Sequence, residues 1–213
     1  ESLIKLIYEI NENIEDYKNI SFDLMIINDA STIKQPKLIK PSNINSIQIF
    51  NMKENRGHAR CNAFGIRYVE KNKEFNNLIL MDGDGEDRPV EIKNLINESI
   101  NKSNISIVAK RIKRSEGPIF QLLYQIHKII TYVFTGKYIN FGNYSCLTKK
   151  DVEKLNSEAS LWSSYSGTLK KIIPEFGEID SIRGKRYFGP SKMSLLKLLM
   201  HSFAIIAVFK YQV

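Results

Sequence analysis

The sequence predicts an α/β fold, and three features carry that expectation. Short apolar runs bounded by turn residues recur at 22–27, 46–51, 77–81 and 105–109, with the length and composition of buried strands. Between them lie longer stretches with apolar residues at helical spacing, at 2–17, 58–70, 90–100 and 118–134. Each of the four strands runs directly into polar residues, and in open α/β sheets ligands bind beyond the carboxyl ends of the strands.

In the first helix, 2–17, Leu3, Ile4, Ile7, Tyr8 and Ile14 recur near helical spacing. An α/β domain ordinarily begins with a strand, so a strand and its loop are expected to precede this helix. Pro118 opens the fourth helix, where a missing N–H costs nothing. The second half is less regular, with a strand at 144–147, short helices to about residue 173 and a strand at 178–182. The chain then turns strongly apolar at 194–209 (SLLKLLMHSFAIIAVF), interrupted only by Lys197 and His201. This segment reads either as a helix in a membrane interface or as a buried terminal helix, and no uncharged apolar stretch of about 18 residues occurs anywhere. The expected organisation is one catalytic domain over 1–190 and a juxtamembrane helix over 191–213.

With 213 residues, 43% of them hydrophobic, the chain is long enough for one sizeable core. A net charge of +8 and a pI near 9.3 favour an anionic partner, which nucleic acid, an acidic membrane or a phosphate-rich substrate would satisfy equally. No aromatic-rich RNA motif or DNA-reading helix is present, so nucleic acid is not expected. Cys61 and Cys146 lie far apart, and His58, His127 and His201 share no ligand spacing with them, which argues against structural zinc and for a reducing, cytoplasmic compartment.

Chemistry concentrates after the third strand, in Asp82-Gly83-Asp84-Gly85-Glu86. Asp82 and Asp84 are two apart, so in extended backbone both carboxylates face one side and can share a hard cation. Magnesium usually retains only one or two protein carboxylates and completes its shell with phosphate oxygens and water, a site suited to a diphosphate. A calcium loop counted from Asp82 would need glycine and glutamate where Asp87 and Lys93 stand, and fails. A phosphatase forming an aspartyl phosphate on Asp82 also follows an apolar strand with Asp-x-Asp; Glu86 weakens that alternative without removing it. A non-catalytic module binding through its basic face is the third class.

The segment MDGDGEDRP, in context, resembles the Asp-x-Asp segment of family 2 glycosyltransferases, in the branch that includes dolichyl-phosphate mannose synthase and bacterial polyprenyl-phosphate glycosyltransferases. FDLMIINDAST resembles that family's paired-acid turn, KENRGHARCNAFG its Asn-x-Gly segment, and VAKRIKRSEG, FGNYSCL and RGKRYFGPSKMSLLKLL its later basic and juxtamembrane segments. The resemblance implies a GT-A fold, a Rossmann-like mixed sheet flanked by helices, here without its first strand. It implies an inverting transfer from a UDP- or GDP-sugar, with Mg2+ or Mn2+, to a polyprenyl phosphate at the cytoplasmic membrane face. A glycan hydroxyl is the alternative acceptor.

Under the same resemblance, Asp82, Asp84 and Glu86 surround the metal, while Asn28, Asp29, Asn55, Gly57 and Asp82 bind the nucleotide. Asp84, Arg111 and Arg114 serve catalysis, and Arg111, Arg183, Arg186, Ser191 and Lys192 hold the acceptor phosphate. Two positions depart from the family pattern. Asn28 replaces the first acid of the paired-acid turn, and Asn143 stands where many relatives carry an aspartate proposed as base. A sugar hydroxyl needs a base to become a nucleophile, but a lipid phosphate is already anionic and needs positioning, for which arginine forks are suited. A hydroxyl acceptor would require another base, with Glu116 or Asp151 as the candidates.

Overall fold

The computed structural model describes residues 2–113, 118–189 and 195–209. Arg114, Glu116, Ser191 and Lys192 lie outside these residues. The observed architecture is α/β, with strands β1 (Asp23–Asn28), β2 (Ser46–Asn51), β3 (Asn77–Leu80), β4 (Ile107–Lys113), β5 (Phe141–Thr148) and β6 (Gly177–Ile182). The helices are α1 (Ser2–Asn13), α2 (His58–Asn72), α3 (Ile92–Asn101), α4 (Pro118–Thr135), α5 (Lys149–Ser157), α6 (Tyr165–Ile172) and α7 (Leu195–Val208).

The strands form two hydrogen-bonded ladders. β1 pairs β2 in parallel, and β3-β5-β4-β6 form a mixed sheet in which β5 runs antiparallel to both β3 and β4. Among the described residues, β1 and β3 each keep one edge without a paired strand.

Alternation along the strands sends neighbouring side chains to opposite faces, and both ladders bury those faces under the same helices. Leu24, Ile26 and Ile47 of the first ladder join Ile79, Ile107 and Tyr144 of the second in one core with α1 and α3. On the other face Leu80, Val108 and Leu147 pack with α2, α5 and α6. Gly65 of α2 lies against Met25 and Ile27 of β1, so α2 covers both ladders. The result is a helix–sheet–helix sandwich in which β3, β4 and β6 end on one side.

Element boundaries differ from expectation mainly around that side. β4 begins two residues later than expected and continues to Lys113, because β6 extends beside it, pairing Lys110 with Asp180 and Arg111 with Ser181. Arg111 is therefore a strand residue, held by a rigid ladder. β5 begins at Phe141, which places Gly142 and Asn143 in the sheet. The first helix stops at Asn13, and Tyr17 instead anchors the following turn, its hydroxyl donating to Asn97 Oδ1 at 2.8 Å.

Helices α4 and α7 pack against each other, and α7 also packs on α6. On α7, Ser202, Ile205 and Val208 turn inward, while Leu196, Met200 and Phe203 are 67%, 61% and 64% exposed. On α4, Ile126, Ile129 and Val133 are likewise exposed, at helical spacing along one face. No helix among the described residues is long and apolar enough to cross a membrane.

Glu91, in a 3-10 turn leading into α3, is buried and ties that turn to the end of β6. Its carboxylate accepts from Arg88 Nε (3.1 Å) and NH2 (2.6 Å), from the Ser181 hydroxyl (2.6 Å) and from the Ile182 amide (3.0 Å). Removing an acceptor that serves four donors, the buried Ser181 hydroxyl among them, leaves them without that partner. Glu91→Ala should lower unfolding free energy by about 3 kcal/mol in urea titrations; a loss below about 1 kcal/mol would show that the clamp is not structural.

Candidate functional site

The acidic turn after β3 is closed by its own carboxylates. Asp87 is almost fully buried, and its carboxylate folds back to accept the Asp82 amide at 2.9 Å. Asp84 accepts the Glu86 amide at 3.0 Å in the same way. Gly85 adopts φ +87°, and a Cβ there would meet the Tyr187 ring at 2.6 Å, so both the turn and its packing require glycine. Asn143, on β5, donates its amide to Asp82 Oδ1 at 2.9 Å. An ionised aspartate at that position could not make this bond, which gives Asn143 a physical role: it orients the Asp82 side chain.

A basic segment covers this turn. Residues 183–187 leave β6 and double back along it, with the Gly184 amide bonded to the Glu86 carbonyl at 2.8 Å and the Tyr187 amide to the Asp84 carbonyl at 3.0 Å. Arg186 NH2 sits 2.9 Å from Asp84 Oδ2, and its Nε is 3.6 Å from Glu86 Oε1. Arg183 pairs with the other Glu86 oxygen. Arg111, from β4, lies across Gly142, where a Cβ would fall 2.3 Å from its NH2, and reaches to 3.8 Å from Asp87. Tyr187 completes the cover, its hydroxyl donating to Glu9 of α1.

Asp82, Asp84, Glu86, Arg111, Arg183 and Arg186 are thus gathered at one end of the sheet. Their roles differ in geometry. Asp82 and Asp84 offer hard carboxylate oxygens, the donor chemistry a magnesium or manganese ion takes. Glu86 is buried with its two oxygens directed at Arg183 and Arg186, so it anchors the arginines. Among the described residues, no group of three or more His, Cys, Asp or Glu side chains gathers as a metal cage. A cation held here would therefore take most of its shell from phosphate and water.

A second cluster forms at the ends of β1 and β2. Asn28 and Asn51 are register partners, and Asn28 Nδ2 donates to Asn51 Oδ1 at 2.8 Å. Asp29 clamps the turn before α2, accepting the Arg56 amide at 2.7 Å on one oxygen and the Gly57 amide at 2.8 Å on the other. Asn55 Nδ2 donates to the Asp29 carbonyl at 3.1 Å, and Gly57 takes φ +84° to let the chain enter the helix. Asn28, Asp29, Asn55 and Gly57 are therefore brought together, with Asp29 acting as the organiser of the others. Burial and the Asp29 charge push the Cys61 thiol up to about 12, so it is an inert packing residue.

Asp151 is not available as a base. It lies in the first turn of α5, its amide donating to the hydroxyl of the capping Thr148, which pairs with Asn77 at the opposite end of β3 from the acidic turn, and its carboxylate accepts from Ser106 at 2.7 Å and Lys154 at 3.0 Å. Asp87, Glu91 and Tyr187 were not singled out by sequence reasoning. For Asp87 the available signal was its place at the end of an acidic run ahead of Arg88-Pro89; its burial depends on the packing of β5 and β6.

No protein-family model and no curated protein matches the chain.

Burial, and then the neighbouring Asp82 charge, push the Asp87 carboxyl up to about 7, against the opposing pull of Arg111 and Arg183. A carboxyl raised on folding contributes stability at low pH that is lost as pH rises through its folded value. The stability of the wild type relative to Asp87→Asn should therefore fall between about pH 4 and pH 7, measured by urea unfolding at several pH values. A pH-independent difference would contradict the burial of this charge.

Proposed function

We propose that this chain is a metal-dependent glycosyltransferase of the GT-A, family 2 type that moves a sugar from a UDP- or GDP-sugar to a polyprenyl phosphate at the cytoplasmic face of a membrane. The observation that carries this reading is the joining of Asp82 and Asp84 with Arg111, Arg183 and Arg186 at the carboxyl end of a mixed sheet. Carboxylates for a hard cation and arginine forks for phosphates, side by side, fit a sugar diphosphate and an anionic acceptor together.

Bound Mg2+ or Mn2+ would neutralise charge on the departing nucleoside diphosphate. Asp82 and Asp84 would hold that ion, Asp82 fixed in orientation by Asn143. Arg111, rigid on β4, and Arg183, held by Glu86, would bind phosphate oxygens as charge develops on the leaving group. The Asp29 cluster lies at the ends of the neighbouring parallel strands, where a nucleoside is ordinarily seated in this class of sheet. Asn143 supplies no base, and the phosphate acceptor requires none.

The outward apolar faces of α4 and α7 support a membrane surface as the place of reaction. The α7 helix also passes beside the start of α2, the His58 and His201 rings lying 5.8 Å apart, so this helix lies near the Asp29–Gly57 cluster.

Asp84→Ala should retain its fold and lose at least about a hundredfold in metal-dependent transfer of labelled sugar into the organic phase with polyprenyl phosphate as acceptor. Full activity in that variant would sink the assignment. Label moving only to a glycan would favour a hydroxyl acceptor, and phosphate release from simple monoesters a phosphatase. Replacing Met200 and Phe203 together by serine should cut sedimentation with anionic vesicles at least fivefold; unchanged sedimentation would place the bilayer elsewhere.

A further inference from the structure

The guanidinium of Arg186 occupies the position that a cation at Asp84 would need. Its NH2 is 2.9 Å from Asp84 Oδ2, while the other Asp84 oxygen already accepts the Glu86 amide. The guanidinium fills a lone-pair site of that oxygen and sets a positive charge against it, so a metal ion at the same carboxylate must compete with it. We propose that Arg186 is a tethered counter-cation that closes the acidic turn and is displaced when a metal–diphosphate enters, an inference that rests on the metal reading given above.

Three observations support this role for Arg186. Arg186 keeps 28% of its side chain exposed, against 13% for Arg183, so it has the more open way out into solvent. Its Nε is buried without a hydrogen bond, because Glu86 stands at 3.6 Å, so the closed arrangement leaves one donor unsatisfied. A diphosphate oxygen would supply the missing acceptor. Finally, the Tyr187 amide stays bonded to the Asp84 carbonyl, so the side chain can swing while the backbone remains docked. The ejected guanidinium would then lie beside the phosphates whose ion displaced it.

The consequence is linkage: metal alone must compete with Arg186, whereas metal and diphosphate together replace the contact it loses, so each promotes the other. The test compares Mn2+ alone with the Mn2+–pyrophosphate complex, using electron paramagnetic resonance of free Mn2+ on the wild type, Arg186→Gln, Arg186→Lys and Asp84→Asn, each checked for folding by near-UV circular dichroism. Arg186→Gln should bind Mn2+ alone about tenfold more tightly than the wild type and show a smaller gain from pyrophosphate. Arg186→Lys, which keeps the charge but lacks the fork, should fall between them. If Arg186→Gln binds Mn2+ no more tightly than the wild type while Asp84→Asn loses binding, the latch is overturned and the metal reading stands. If Asp84→Asn binds Mn2+ as well as the wild type does, both fail.

Discussion

Negative charge packed at the end of one strand is the constraint on which the rest of this structure depends. Asp82, Asp84, Glu86, Asp87 and Glu91 fall within a short span after β3, and three of the five are buried. Buried carboxylates are tolerated only with donors and counter-charges around them. Arg88, Arg111, Arg183 and Arg186 supply those from three separate parts of the chain. The end of β4, the start of β5 and the segment after β6 are thereby drawn to the same place. Exposed pairs such as Lys93–Asp16 contribute far less, because water screens them.

That electrostatic arrangement is also what makes the region a candidate site. A turn that needs cations in its resting state is a turn that can exchange them. Glu86 and Glu91, sealed against arginines and backbone amides, are the permanent part of the network. Asp84, partly open to solvent and paired with the partly exposed Arg186, is the part proposed to exchange. The proposed function uses this division, with the buried acids setting the arginines and the accessible ones meeting the ligand.

Much of the site was legible in the chain because strand-end chemistry is local. The apolar run at 77–81 predicts a strand, and Asp-x-Asp directly after it predicts a carboxylate cluster wherever the strand ends. Asp29, Asn55 and Gly57 were likewise readable as polar residues after strands, although the structure makes Asp29 a clamp on the Arg56 and Gly57 amides. The division of labour among the acids was not legible. Glu86 and Asp84 have similar chemistry and lie two residues apart, and only the return of residues 183–187 across the turn separates them. The ends of α1 and of β4 were misjudged for the same reason, since Tyr17 is held by α3 and Arg111 by β6.

The sequence by itself determined the α/β alternation, the place of the acidic turn and the apolar character of the last helix, since each follows from periodicity or from neighbours within a few residues. Tertiary structure decided which carboxylates are buried, that Asn143 orients Asp82, that Asp151 lies at the far end of the sheet, and that Arg186 rests on the acid proposed to hold a metal. Those outcomes depend on burial and on contacts between residues up to about a hundred positions apart, which local pattern does not encode.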